Sequence, residues 1–214
     1  MKAESREILK ELSVRYPILA SFEKDVESVF ELLKACYENG NTLYICGNGG
    51  SCSDSEHIAG ELLKCFKKPR PISVDFAEKL SVYGEKGERL IKNLEGGLPT
   101  MSLCGHSAFS TAYLNDKDPM LVFAQQVSVL GKAGDVLLTL STSGNSQNCV
   151  YAALVAKAKG MKVAALLGNT GGELKTLADA YVVAPEKETF KVQELHLPIY
   201  HCICAMLETE FFGM

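Results

Sequence analysis

No continuous apolar run in this 214-residue chain approaches the roughly 18 residues that a membrane-spanning helix needs, so a bilayer protein is not expected. Excess positive charge is missing too. Lys and Arg number 22 against 26 Asp and Glu, a formal net charge of −4. Nucleic-acid binders carry a basic patch, and none is expected here. The eight cysteines form no Cys-x-x-Cys pair, which speaks against a zinc ribbon or a thioredoxin-like centre. No Gly-x-x-x-x-Gly-Lys-[Ser/Thr] run occurs. Cys52 also stands where the third glycine after Gly47 and Gly49 belongs in a Gly-x-Gly-x-x-Gly fingerprint, so neither standard nucleotide loop is complete. Low-complexity segments and internal repeats are likewise absent.

What is present suits a soluble globular protein. Hydrophobic residues make up 47% and charged residues 22%, and the length fits a single domain over 1–214 with an added helical arm over 1–40. The segment Met1-Lys2-Ala3-Glu4-Ser5-Arg6-Glu7 is charged and helix-prone, unlike a signal peptide, so a cytoplasmic location is expected. Cys36, Cys46, Cys52, Cys65, Cys104, Cys149, Cys202 and Cys204 would then be reduced. Most lie in apolar segments such as Leu43-Tyr44-Ile45-Cys46, where a thiol acts as a small hydrophobe.

Over residues 5–39 the apolar positions Leu9, Leu12, Ile18, Phe22, Val26, Val29, Phe30 and Leu33 recur mostly at three- and four-residue steps. Pro17 should divide this stretch into two helices, which could pack on a neighbouring subunit or on their own sheet. Strands and helices then alternate. Strands are expected at 42–46, 101–104, 135–140, 162–167 and 180–183. Helices are expected at 53–66, 147–158 and 189–211, the last kinked at Pro198. Short apolar strands separated by helices imply a parallel sheet covered on both faces, a three-layer α/β/α sandwich. Residues 67–97 fit this rhythm poorly. They read as an excursion, a lid or a subunit contact, with a helical fragment near 88–94.

Two loops carry the chemistry. Gly47-Asn48-Gly49-Gly50-Ser51 follows a strand and precedes a helix, where glycines allow positive φ and the helix N-terminus favours an anion. A tight turn without a ligand would use the same residues. Ser141-Thr142-Ser143-Gly144-Asn145-Ser146 repeats the logic at another strand-to-helix junction. Capping alone would need one such residue, and this loop supplies five, which points to phosphate held by hydroxyls and amides. Two such loops suit a phosphorylated sugar better than a nucleotide.

His57 and Glu61 are four apart and share a helix face. The last helix carries Gln193, Glu194, His196 and His201. Gln193 and His201 lie about 80° apart around a helix at 100° per residue, while Glu194 and His201 would stack more closely. A histidine in such a helix is often a satisfied core residue, so periodicity alone does not choose among them.

Taken together and in order, Cys-Gly-Asn-Gly-Gly-Ser at 46–51, His57 with Glu61, Ser-Thr-Ser-Gly-Asn-Ser at 141–146 and Gln193-Glu194 with His201 resemble the sugar-isomerase (SIS) fold, and within it the bacterial phosphoheptose isomerases. The resemblance covers the chain apart from 67–97. It implies a five-stranded parallel sheet, a homotetramer with active sites shared between subunits, and conversion of sedoheptulose 7-phosphate to a manno-heptose 7-phosphate. It implies that Ser51, Ser141, Thr142, Ser143 and Ser146 hold phosphate, with Asn48 and Gly49 at the sugar and Asp116 close to the substrate. His57, Glu61, Gln193 and His201 match an active-site set that binds zinc in some members. Glu61 would be the base and His201 its acid partner in an enediol(ate) mechanism, although a tightly ligating Glu61 is not a free base.

The sequence also departs from the family. Where members often have Gly-Arg after the Glu-Leu of the first site helix, Lys64-Cys65 stands here, with Lys67, Lys68 or Arg70 as candidate substitutes. Rival readings are an isomerase of another sugar phosphate and a non-catalytic SIS protein binding a regulatory partner such as a replication initiator. A sugar-phosphate sensor would carry a DNA-binding domain, and none is visible.

Overall fold

A computed structural model describes residues 1–213. Five strands, β1 Leu43–Gly47, β2 Thr100–Ser102, β3 Val136–Ser141, β4 Lys162–Leu167 and β5 Ala180–Val183, form one all-parallel sheet in the order β2-β1-β3-β4-β5. The helices are α1 Ala3–Arg15, α2 Glu23–Glu38, α3 Gly50–Leu63, α4 Val74–Ser81, α5 Gly84–Asn93, α6 Ser107–Asp116, α7 Val122–Leu130, α8 Gln147–Ala158, α9 Gly172–Leu177 and α10 Thr189–Phe212. The expected three-layer α/β sandwich with five parallel strands is what the chain forms.

The two cores follow from strand alternation. Leu43, Ile45, Val136, Leu138, Leu140 and Leu166 point to one face, where they meet Phe30 and Leu33 of α2, Ile58 and Leu62 of α3, and Ile199 and Ile203 of α10. Tyr44, Cys46, Leu137, Val163 and Ala165 point to the other, against Val127 of α7 and Val150 and Ala153 of α8. Strands buried on both faces need no polar alternation, which is why they read as unbroken apolar runs. The N-terminal helices pack inward: α1 lies on α10, and α2 on β5 and α10. Between them Pro17 opens a 3-10 turn, Pro17–Phe22, where the expected break falls.

Several boundaries differ from the sequence expectation. Helix α3 begins at Gly50, three residues early, so the end of the glycine loop is its first turn. Strand β2 is three residues long and centred earlier than 101–104. Helices α6, α7 and α9 were not anticipated. The last helix runs as one element through Pro198. The excursion holds two helices rather than one fragment. Ser73 caps α4 by accepting the Phe76 N–H at 3.3 Å, and the chain reverses at Gly84, whose φ is +59°. Within α4 and α5 only Gly87 is buried, where a Cβ would meet the Leu80 carbonyl at 2.0 Å. The hairpin therefore packs chiefly on itself. Its stem is closed by the Pro71–Glu95 bridge and by Gly96 N–H donating to the Arg70 carbonyl at 2.6 Å.

The sheet order fixes where a ligand can sit. From β1 the chain crosses outward to β2, and then returns to β3 on the other side of β1. The crevice at the carboxyl ends of β1 and β3 is the switch point of the sheet, and both candidate loops leave from it.

Candidate active site

Three helix N-termini converge on that crevice. A cavity of about 380 Å³ is lined by Asn48, Gly49, Gly50 and Ser51 at the start of α3, and by Ser141, Thr142 and Ser146 before α8. Thr189 and Gln193 line it from the first turns of α10. No Lys or Arg is among its lining residues. An anion there would be met by hydroxyls, backbone amides and the positive ends of helix dipoles.

Each loop is shaped for openness. Gly49 has φ of +56°, and Gly144 has φ of +69°. A Cβ on Gly144 would also meet the Gly171 carbonyl at 1.9 Å, so the turn after β3 is braced by the loop after β4. Gly50 is needed for a different reason. A Cβ there would lie 2.8 Å from Gln193 Nε2, so the glycine makes room for the glutamine amide. Ser146 is the N-cap of α8, yet its hydroxyl makes no capping bond. It pairs instead with Ser141 Oγ at 2.9 Å, and both line the cavity. Ser143 is exposed, accepts the Asn145 N–H at 3.1 Å and does not line it. Asn48 is tied to Asn148 by reciprocal amide bonds of 2.9 and 2.8 Å, a link between the two loops that the sequence did not reveal.

Below the cavity α3 and α10 bring the ionisable residues together. His57 Nε2 lies 3.2 Å from Glu61 Oε1, and its Nδ1 lies 2.9 Å from the Tyr200 hydroxyl. The His57 and His201 rings are edge to face, with centroids 5.0 Å apart. His201 Nε2 is buried without a hydrogen-bond partner. Burial pushes the His201 imidazole below its ordinary range, nearby His57 pushes it further, and Glu61 opposes both. His201 also borders a second cavity of about 200 Å³ between α1 and α10, with Arg15, Glu11 and Lys67 on its wall. Glu194 is exposed, and His196 is buried with Nε2 against the Leu167 carbonyl at 3.0 Å. Of the four polar candidates on α10, Gln193 reaches the cavity and His201 reaches His57.

The end of α3 is held by a buried ion pair. Arg70 Nε donates to Glu208 Oε1 at 2.8 Å, and both side chains are about fully buried. The other guanidinium nitrogens donate to the carbonyls of Leu62 at 2.9 Å and Glu61 at 3.0 Å. Of the three basic residues considered as substitutes for the family arginine, Arg70 alone reaches the backbone of Glu61. Lys64 Nζ stands 3.9 Å from Glu61 Oε2, Lys68 pairs with Glu4, and Lys67 faces the second cavity. Asp116 is elsewhere. It is exposed and borders a depression with Phe109, Tyr113 and Gln125, apart from the phosphate-type cavity.

The donor types suit zinc. Two ligands on a tetrahedral ion with bonds of about 2.0–2.1 Å stand about 3.3 Å apart, close to the 3.2 Å between His57 Nε2 and Glu61 Oε1. The unpartnered His201 nitrogen is a third candidate donor. Among the described residues no three or more His, Cys, Asp or Glu are drawn to metal distances, so the donors are neighbours rather than a closed set.

Comparison with known proteins gives a consistent result. The SIS domain family matches residues 96–168. A phosphoheptose isomerase of Nitratiruptor sp. is 36% identical over 204 residues, covering 90% of this chain and 96% of the relative. That of Akkermansia muciniphila is 33% identical over 198 residues, covering 92% of each. The solved phosphoheptose isomerase of Neisseria gonorrhoeae superposes with a TM-score of 0.72 at 30% identity, over 97% of this chain and 94% of that one.

Proposed function

The chain belongs to the phosphoheptose isomerase family of SIS-domain proteins, and on that premise we propose that it converts sedoheptulose 7-phosphate to D-glycero-D-manno-heptose 7-phosphate. The reaction class is aldose–ketose isomerisation. One observation carries the assignment to this site: the cationless cavity at three helix N-termini opens on the same two helices that bring His57, Glu61 and His201 together.

The phosphate sits against Ser51, Ser141, Thr142 and Ser146, with Ser143 at the loop's outer edge. Asn48, Gly49 and Gln193 meet the sugar hydroxyls. Glu61 removes the proton from the carbon beside the carbonyl and returns it to the neighbouring carbon, so the carbonyl moves between C1 and C2 through an enediol(ate). His201 holds the proton that passes between O1 and O2, acting as Glu61's acid partner. Zn2+, when held by His57, Glu61 and His201, would polarise the carbonyl and stabilise the oxyanion. Gln193, which the family set adds, faces the phosphate-type cavity in this chain. Glu61 has two oxygens, one turned to His57 and one to Lys64, so a ligating oxygen leaves the other to exchange the proton.

The working form is a homotetramer with shared sites. Asp116 fits this reading: it does not line the phosphate-type cavity of its own chain, and a second copy would supply it to a neighbouring site.

The test is to incubate metal-replete protein with sedoheptulose 7-phosphate and follow products by proton NMR, with Glu61→Gln as control. An aldoheptose 7-phosphate that disappears in the variant is the expected result. Phosphate-dependent protection of 141–146 without turnover would redirect the assignment to another sugar phosphate. The absence of both binding and turnover would overturn the assignment.

A further inference from the structure

The proposed chemistry uses His57 and Glu61 but leaves unexplained a buried tyrosine and a carboxylate behind them. The Tyr200 ring is 1% exposed, and its hydroxyl lies between two partners, His57 Nδ1 at 2.9 Å and Asp54 Oδ1 at 3.2 Å. A Phe would fill the same core space, so the hydroxyl needs its own reason.

Counting protons supplies one. The series Asp54–Tyr200–His57–Glu61 has three polar contacts, with a carboxylate at each end. A neutral histidine and a phenol bring only two hydrogens. One contact must therefore face lone pair to lone pair. Asp54 Oδ2 is buried without a partner, so that carboxylate depends on the bond at Oδ1. The phenol hydrogen then belongs to Asp54, and the tyrosine oxygen must accept from His57 Nδ1–H. The unsatisfied contact falls between His57 Nε2 and Glu61 Oε1, which is where a cation would relieve it.

We infer that Tyr200 and Asp54 are positioning residues that fix His57 as its Nδ1–H tautomer and leave the Nε2 lone pair open beside Glu61. Hydrogen-bonded partners behind a ligand or catalytic histidine set its tautomer and ring orientation in this way. An edge-to-face contact of the Tyr200 ring with His57 holds the hydroxyl against Nδ1, and a second such contact packs the ring on His201. This rests on the proposed use of His57 at the active centre, and its test is separable from activity.

The test is nitrogen-15 NMR of the histidine side chains in the metal-free full chain. It is run at a pH of about 9, well above the ordinary imidazole range near 6.5, with His57 assigned by His57→Gln. Wild type should show Nδ1 protonated. Tyr200→Phe removes the acceptor of that proton. Asp54→Ala frees the phenol to donate to Nδ1. Both should switch His57 to the Nε2–H form by different routes, while circular dichroism and melting confirm that the variants fold. Zinc affinity measured by chelator competition should fall about 10- to 100-fold in each. A wild-type Nε2–H tautomer, or no switch in either variant, overturns the proposal. Absence of zinc binding or heptose turnover in the wild type would instead sink the functional reading, and the tautomer would still decide this one.

Discussion

Breaking the Arg70–Glu208 pair should cost more than any surface change in this protein, and the cost should fall unequally on its two members. Glu208 accepts backbone N–H groups from Phe66 at 2.8 Å, Lys67 at 2.8 Å and Lys68 at 3.2 Å, besides Arg70. Burial pushes its carboxyl up, but these donors and the guanidinium outweigh burial and hold it below the usual range. Glu208→Gln removes the countercharge and strands a buried guanidinium, a loss of about 3–5 kcal/mol. Arg70→Met leaves a carboxylate that still has three amide donors. Its cost comes mainly from uncovering the Glu61 carbonyl, at about 1–3 kcal/mol for a buried group left unpaired, since the Leu62 carbonyl still accepts the Leu98 N–H at 2.9 Å. Against a total stability of roughly 5–15 kcal/mol, either change is severe.

The assay is urea unfolding of the wild type, both single variants and the double variant at one fixed protein concentration, since self-association would otherwise shift the midpoint. The double variant should lose less than the sum, with a coupling of at least about 0.5–3 kcal/mol. Arg70→Met should also lower kcat by loosening the Glu61 backbone, while leaving phosphate affinity near its starting value. The pH sign follows from the lowered carboxyl: the stabilisation is complete above the ordinary carboxylate range and is lost as pH falls through the depressed folded value. Losses below about 1 kcal/mol, or additive effects, would refute the argument that this pair holds the end of α3.

Gly50→Ala should push the Gln193 amide out of the cavity, since the new Cβ would lie 2.8 Å from its nitrogen. Steady-state kinetics should show a raised KM with melting little changed. His196 predicts a second pH dependence. Burial drives its imidazole down to about 4 despite the bond to the Leu167 carbonyl. The unfolded chain therefore binds a proton that the folded chain refuses between about pH 6.5 and 4. Stability should fall with acid across that window at up to about 1.4 kcal/mol per pH unit. His196→Asn should flatten the slope in urea titrations at several pH values.

Contiguous features were legible in the sequence. Helix α8 and strands β4 and β5 fall where apolar runs and turn signals put them, because a doubly covered strand and a caged helix carry their burial in their composition. Helix α6 was invisible because it buries none of its residues, and α9 because six residues after Gly171 show too little periodicity. At the site, each loop motif was readable because its residues adjoin. Asn148, Tyr200 and Asp54 were not, and Arg70 was one of three basic residues that the sequence left open. Their contacts bridge 138 positions for Arg70–Glu208, 100 for Asn48–Asn148 and 146 for Tyr200–Asp54, which no local pattern encodes. The expected choice between Glu194 and Gln193 was settled by packing: Gln193 has a glycine opposite it, and Glu194 points to solvent.

The same long-range contacts define a ruler for the substrate. Gly50 faces Gln193, His57 meets Tyr200, and the carbonyl of Leu62 is tied through Arg70 to Glu208. The partners advance together, so α3 and α10 run parallel with both N-termini at the cavity. Seven residues separate Gly50 from His57, a rise of about 10 Å at 1.5 Å per residue. An open-chain sugar with its phosphate at the helix N-termini must therefore span about that distance to bring C1 and C2 to His57, whose Nε2 lies 3.2 Å from Glu61 Oε1. In a seven-carbon chain, six carbon–carbon bonds of about 1.5 Å give a contour of about 9 Å, which reaches that distance once the phosphate ester link is added. The four of a five-carbon chain give about 6 Å, which with the same link falls short. Ribulose 5-phosphate should accordingly compete for the phosphate cavity yet show little or no turnover, whereas sedoheptulose 7-phosphate should do both. Efficient isomerisation of the pentose phosphate would mean that phosphate and reacting carbons are not held two turns apart on these helices, and the ruler would be wrong.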